Sequence, residues 1–352
     1  MKGIAALDVL FLVRELNELE GTIVEKVFQP SKKVILFQLH KSGSGKKLLR
    51  FVLGVGAYLT SEKSSSEGTK APSSFAMLLR KKLKQSRITN VVQPGLERII
   101  EVHFSNDLKI IVEMFSKGNL ILCDSSNKIL AVLEKQEWKD RTVKKDGIYT
   151  FPPASANPFE MTDKEFTEKF NKSKKENAVK TLAIVFGLGG KYAEEVCIKA
   201  KIDKTRKRVD TSKLLKEIVK LKNRPLKPYL VIKDKQIIDF APVTLEVYKE
   251  AQKEQASSCS DALDKWFAAT SDDVKEATTE KQRLVSLAEK QKIQIANLKK
   301  KGEEYKQIGD LIYAHFNEIE EIIKDIKKND WKIKHKLVKE INKKERKVIL
   351  EL

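Results

Sequence analysis

Residues 98–134 constrain the fold more than any other stretch. RIIEVHF, LKIIVEMF, NLILCD and KILAVLE follow one another, joined by turns at Ser105-Asn106-Asp107, Lys117-Gly118 and Ser125-Ser126-Asn127. Links this short return a chain antiparallel beside itself, whereas a parallel crossover takes about a dozen residues or more. The four runs therefore predict a sequential meander. TIVEKVF (22–28), KVILFQLH (33–40) and KLLRFVLG (47–54) read as further strands, with turns at Gln29-Pro30-Ser31 and at Lys41 to Gly45. Ahead of them Val9, Leu12, Val13, Leu16 and Leu19 recur at helical spacing, with Asp8 as a candidate N-cap and Gly21 as the stop. Residues 61–74 are Ser/Gly/Pro-rich and read as a loop, and FAMLLRKKL places Phe75, Leu78, Leu79 and Leu83 on one helix face. The expectation is an α+β chain whose first unit, 1–155, is a mixed domain with antiparallel sheets. It ends near the Pro-rich FPPASANP (151–158).

A helical unit is expected over 156–270. Val179, Leu182, Ala183 and Phe186 form one apolar stripe, and Ala193, Val196, Cys197 and Ala200 form another. Gly187-Leu188-Gly189-Gly190 lies between them, so two short helices joined by a glycine hairpin suit both stripes. LVIKDKQIIDF (230–240) reads as one more small hairpin, with Asp234 near its turn.

From 271 to 328 a long coiled-coil helix is expected. Leu284, Gln291, Leu298, Tyr305, Ile312, Ile319 and Ile326 fall seven apart, with Leu287, Ile308 and Ile322 at the companion position. So narrow a stripe needs a partner helix. Residues 329–352 read as the start of a further segment, and the strand-like KVILEL has nothing after it to pair against, as if the chain were truncated.

Charge speaks to partners. The 352 residues carry 69 Lys+Arg against 49 Asp+Glu, a formal +20, which draws nucleic acid or another anionic surface. Cys123, Cys197 and Cys259 and the four histidines are scattered, giving no metal spacing, no disulfide framework and no nucleophile–base pair. No cofactor, metal or catalytic residue is expected. The first apolar run is interrupted by Asp8 and closed by Arg14, which argues against a signal peptide or membrane span. A basic protein of a reducing, intracellular compartment fits these features.

FGLGGKYAEE (186–195) is the strongest local motif. Glycines there let a phosphate approach the first amides of a helix, so Gly187, Gly189, Gly190 and Lys191 are candidate phosphate contacts. In the bland alternative the glycines only make an αα-corner. The adjoining basic run supports the first reading, since Lys199, Lys201, Lys204, Arg206, Lys207 and Arg208 face one acid, Asp203. Arg80, Lys81 and Lys82 form a second basic face, a pattern that solvated helices also carry.

PGLERIIEV (94–102) sets a different question, because Glu97 and Arg98 stand side by side at a strand entrance. Neighbours in a strand point to opposite faces and do not pair with each other on one surface. Either both are hydrated at the strand's mouth, or a cleft lets Arg98 grip a phosphate or base while Glu97 accepts from an amino group or orients the arginine.

The order DVLFLVRELNELEG…VFQP, APSSFAMLLRKKL, GLERIIEVHF, IIVEMFSKGNLILCD, FGLGGKYAEEVC and then heptads resembles the NFACT-domain factors of ribosome-associated quality control, the NEMF-like and RqcH-like proteins. The resemblance covers essentially the whole chain. It implies the N-terminal half of a factor whose partners are the large ribosomal subunit, peptidyl-tRNA and tRNA. Such a factor recruits charged tRNA, alanyl-tRNA in bacteria and archaea, for template-free tailing of stalled chains in the cytoplasm, and the ribosome makes the peptide bonds. It assigns tRNA handling to Asp8, Glu97 and Arg98, with Glu97 one methylene longer than the family's usual Asp. It also implies a further RNA-binding domain and a returning helix to pair with the coiled coil, both absent from this sequence.

Competing readings are weaker. The first unit plus helix-hairpin-helix also resembles formamidopyrimidine-type DNA glycosylases, but the chain starts Met1-Lys2-Gly3 and its three cysteines cannot build a four-Cys zinc site. A surface adhesin is disfavoured by the absent signal and disulfides. A plain basic coiled-coil scaffold explains the heptads but not the glycine hairpin.

Overall fold

The computed structural model describes residues 3–43, 45–61, 73–138, 141–153, 155–270, 280–328, 331, 335–342 and 347–350. The chain forms two compact units, Met1–Ser271 and Asp272–Leu352. Of the loop expected at 61–74, residues 62–72 lie outside the described residues, as does the start of the expected coiled coil, 271–279.

In the first unit, α1 (Ala6–Leu16) leads through a 3₁₀ turn to β1 (Ile23–Ser31), β2 (Val34–Lys41), β3 (Gly45–Val52) and β4 (Gly56–Thr60), a four-stranded sheet in sequential order. After α2 (Ser74–Leu83) comes the meander, with five strands: β5 (Ile88–Val92), β6 (Ile99–Phe104), β7 (Leu108–Glu113), β8 (Asn119–Asp124) and β9 (Ile129–Val132). Its strands are nearly continuous apolar runs because both faces are covered. Ile100, Val102, Ile110, Val112, Leu120 and Leu122 join the main core. Ile99, Ile111, Ile121 and Cys123 form a smaller one with Val143 and Tyr149.

On that second face the hairpin β10 (Gln136–Trp138) and β11 (Arg141–Val143) is pinned by charge. Glu113, 1% exposed, accepts from the Tyr149 hydroxyl at 2.9 Å and pairs with the Arg141 guanidinium. Arg141 in turn lies over the rings of Trp138 and Tyr149 at 5.0 and 5.1 Å. Elsewhere the turns after β3 and before β8 press together, and a Cβ built on Gly118 would stand 2.0 Å from the Gly54 amide nitrogen.

The helical part comprises α3 (Asp163–Asn171), the single turn α4 (Ala178–Lys180), α5 (Gly190–Ala200) and α6 (Thr211–Lys222). Here the expectation of two short helices needs correction. Only the second is regular, since α4 widens into a π-helical stretch, Thr181–Val185, before the glycines. Phe166, Phe170 and Phe186 stack inside this part, with ring centroids 4.5 to 6.4 Å apart. The expected hairpin is β12 (Tyr229–Lys233) and β13 (Gln236–Ala241), turning on Asp234 and Lys235 at positive φ. A further strand, β14 (Gln252–Gln255), pairs with the other edge of β12.

The chain then returns. α7 (Cys259–Thr270) puts Leu263, Trp266 and Phe267 into the core of the first two sheets. Glu15 of α1 accepts from the Cys259 and Ser260 amides at 2.6 and 3.0 Å, neutralising the N-terminus of α7. α1 itself serves two cores. Val9, Leu12, Val13 and Leu16 face the sheets, while Ala6, Leu7 and Phe11 face the helical part. Residues on either side of position 155 thus share one compact unit.

In the second unit α8 (Glu280–Ala314) and α9 (Phe316–Lys328) are separate helices that meet at His315, whereas the heptad pattern predicts one uninterrupted helix. The heptad positions Leu298, Tyr305, Ile308 and Ile312 are exposed, while Ile322 and Ile326 are buried. KVILEL finds a partner after all. Its residues Lys347–Leu350 form β16, antiparallel to the preceding β15 (Val338–Asn342).

All three cysteines are buried, and desolvation pushes the thiols of Cys123 to about 12 and Cys197 to about 11, with Cys259 raised further. The native protein is expected to leave a thiol reagent unreacted at pH 8 over minutes, with three thiols titrating after denaturation. Fast reaction of any one in the native state would contradict this packing.

Candidate ligand cleft and nucleic-acid interface

A cleft of about 830 Å³ opens in the first unit, lined by Gly3, Asp8, Arg98, Phe115, Gly189 and Lys191, among others. Glu97 and Arg98 both line it, so the pair stands in a cleft wall. Neither lies in a strand, because β6 begins at Ile99. The Arg98 carbonyl accepts from the Met114 amide at 3.0 Å, which holds its backbone beside β7. Its guanidinium packs on Gly3, where a Cβ would stand 3.3 Å from Nη1, and is half-buried. Among the described residues it makes no hydrogen bond or ion pair.

Glu97 does not orient Arg98. Its Oε1 accepts from the Ser155 amide at 2.6 Å, tying the meander to the Pro-rich segment. Gln93 carries no signal in the sequence. Its amide donates to the carbonyls of Glu97 and Ala6 at 2.7 and 2.8 Å, joining the pair's backbone to the start of α1.

Asp8 is not the N-cap of α1. Ala5 holds that place, and Asp8 sits three residues on, where Oδ2 reaches back to accept from the Ala5 amide at 2.8 Å. A carboxylate in the first turn also matches the helix dipole. Asp8 is 2% exposed, and its Oδ1 accepts from the Tyr192 hydroxyl at 2.7 Å and the Lys191 ammonium at 2.8 Å. Burial and the Asp8 carboxylate push the Tyr192 phenol far above its ordinary range.

Lys191 is a correction as well. Its Nζ lies 2.8 Å from the Phe240 carbonyl, 3.5 Å from Asp239 and 4.7 Å from the Phe240 ring centroid, and the side chain is 8% exposed. Its ammonium is committed to the interior, not offered to a phosphate. The glycines divide similarly. Gly187 (φ 66°) and Gly189 (φ 77°) need their left-handed backbone, yet the atoms that crowd them belong to the protein, Ser155 at 3.1 Å and Ala5 at 3.0 Å. Of the three, only Gly190, at the start of α5, has open space where a Cβ would go.

The basic run is partly neutralised. Lys199 pairs with Glu246 at 2.8 Å, Lys204 with Glu194 at 3.1 Å and Arg206 with Asp203 at 3.5 Å. Lys201, Lys207 and Arg208 are exposed and, among the described residues, unpaired. On α2, Arg80 turns its Nε onto the Val27 carbonyl at 2.7 Å, leaving Lys81 and Lys82 exposed. Among the described residues no group of three or more His, Cys, Asp or Glu could hold a metal ion, and no helix is long and apolar enough to cross a membrane.

The archaeal Rqc2 homolog aRqcH of Methanocaldococcus jannaschii is 31% identical over 96% of this chain and 54% of its own length. The Rqc2 homolog RqcH of Streptococcus pneumoniae is 27% identical over 88% of this chain and 57% of its own. The chain thus spans little more than half of either relative. Among solved structures, the N-terminal part of the fibronectin/fibrinogen-binding protein from Streptococcus suis superposes with a TM-score of 0.62 at 25% identity, over 75% of this chain and 98% of that one. The family model described as NFACT N-terminal and middle domains matches residues 6–345, nearly the whole chain, and the chain belongs to that family.

Proposed function

We propose that this chain is the N-terminal part of a ribosome-associated quality-control factor that engages tRNA at the cleft. In this reading the longer protein binds the large ribosomal subunit obstructed by peptidyl-tRNA. It recruits tRNA, alanyl-tRNA in particular, for template-free C-terminal tailing of the stalled chain in the cytoplasm. The ribosome makes the peptide bonds, so the chain binds and orients and is not an enzyme. Relatives named as ribosome quality control complex subunits support the quality-control part, and the exposed heptad positions of α8 support pairing with a further helix of the longer protein.

One observation carries the tRNA part: the guanidinium of Arg98, a cleft-lining residue, has no protein partner among the described residues. A guanidinium is a planar fork of donors suited to a phosphate or a base edge, and this one is left free to make such contacts in the cleft. Lys201, Lys207 and Arg208 supply the sequence-independent attraction outside the cleft.

A salt titration of binding to bulk tRNA and to duplex DNA of equal length tests the reading. Both affinities are expected to fall linearly on logarithmic axes, by roughly 0.7 to 0.9 per phosphate neutralised. The tRNA curve should stay above the DNA curve throughout. Coincident curves would instead support a generic basic scaffold.

A further inference from the structure

We infer that Asp8 acts as a positioning residue through Lys191, fixing residues 3–5 and the α5 glycine turn as the two walls of the cleft, without touching the cleft's ligand. The inference rests on the proposal that the cleft binds RNA, and it assigns a role to Lys191, Asp239 and Tyr192 that charge alone did not suggest.

Three donors occupy the Asp8 carboxylate: the Ala5 amide on Oδ2, and the Tyr192 hydroxyl and Lys191 ammonium on Oδ1. Asp8 stands in the cleft wall but is only 2% exposed, and its carboxylate is already taken by these donors. An ammonium has three donors. Those of Lys191 face three protein acceptors, Asp8 at 2.8 Å, the Phe240 carbonyl at 2.8 Å and Asp239 at 3.5 Å. Asp239 is itself held by the Tyr248 hydroxyl at 2.6 Å. The network therefore bolts α1, α5 and β13 together along the wall of the cleft.

Its geometry leads to both walls. Asp8 fixes the Ala5 amide, and Ala5 is the residue against which Gly189 is pressed, at 3.0 Å from a built Cβ. Two residues before Ala5, Gly3 supports the Arg98 guanidinium. If the carboxylate is lost, the segment 3–5 loses its anchor, and Arg98 and the glycine turn lose the surface that spaces them. Loss of Lys191 strands two buried carboxylates beside each other and releases the same segment.

A double-mutant cycle tests this in the whole chain, with bulk tRNA as the probe: Asp8→Asn, Lys191→Met and the double variant. Each single change is expected to lower tRNA affinity about tenfold, and the double no further than the worse single, because both cut one connection. Hydrogen exchange should rise at residues 3–5 and 186–192 in Lys191→Met, with the strands of the meander unchanged. Tyr192→Phe, which removes one donor and keeps the ring, should give the same exchange pattern with a few-fold affinity loss, and it replaces Lys191→Met in the cycle if that variant does not fold.

Losses that multiply to about a hundredfold would mean that Asp8 contacts RNA on its own account, overturning the inference. So would wild-type affinity in Lys191→Met or Tyr192→Phe. If wild type shows no preference for tRNA, the RNA reading fails instead, and the exchange pattern still decides whether Asp8 and Lys191 pin the cleft walls.

Discussion

Arg98→Ala is expected to lower affinity for tRNA by ten- to a hundredfold while leaving duplex DNA binding within about threefold of wild type. Hydrogen bonds from a charged donor contribute about 1.5 to 3 kcal/mol, which sets that range. The folded protein should not suffer, because the guanidinium has no partner among the described residues to strand. Arg98→Lys keeps the charge but loses the fork, and should recover only part of the loss. Fluorescence anisotropy at one fixed salt concentration, with melting temperature as the control, separates the outcomes. Unchanged tRNA affinity in Arg98→Ala would remove the cleft from the binding account.

The largest effect on stability is expected from Gly118→Ala. Gly118 sits at φ 73°, where an L side chain costs about 1 to 2 kcal/mol. The added Cβ would stand 2.0 Å from the Gly54 nitrogen and 2.7 Å from its Cα, both backbone atoms that cannot rotate away. The two turns must separate, and overpacking of this kind costs about 1 to 3 kcal/mol more. A total of about 2 to 5 kcal/mol is a large part of the 5 to 15 kcal/mol that typically holds a domain folded. Gly190→Ala is the control, because nothing lies within 4 Å of its Cβ position, and it should change stability by less than about 1 kcal/mol. Denaturant unfolding of the two variants side by side checks this. Equal midpoints would mean that the turns between the sheets are not in contact.

The meander was legible because links such as Lys117-Gly118 admit only a hairpin. β5 was not, since ITNVV is short, half polar and joined to β6 by a longer turn. The start of α1 was misplaced by three residues because an acid at the cap and an acid reaching back to it look the same in sequence. The glycine turn was legible, but its crowding by Ala5 and Ser155 was not, and open space for a phosphate was read where protein atoms stand. The network under the cleft could not be read at all. Asp8 and Tyr192 are 184 residues apart, Lys191 and Phe240 are 49 apart, and no local pattern marks either distance. The pairing of KVILEL was missed because its partner, Val338–Asn342, lies upstream in a polar stretch with only Val338 and Ile341 to suggest a strand.

The double duty of α1 has a consequence for how the chain is made. Synthesis delivers this helix before the elements it packs against, for one flank waits for the residues around Phe186 and Tyr192, and the other for α7 at Cys259–Thr270. At roughly 5 to 20 residues per second, that is a delay of about 12 to 50 seconds during which α1 has no complete place to go. The burial of Leu7, Phe11 and Leu12 is thus a late event in the life of each new molecule, and the tie from Glu15 to Cys259 closes the first unit only when α7 has left the ribosome.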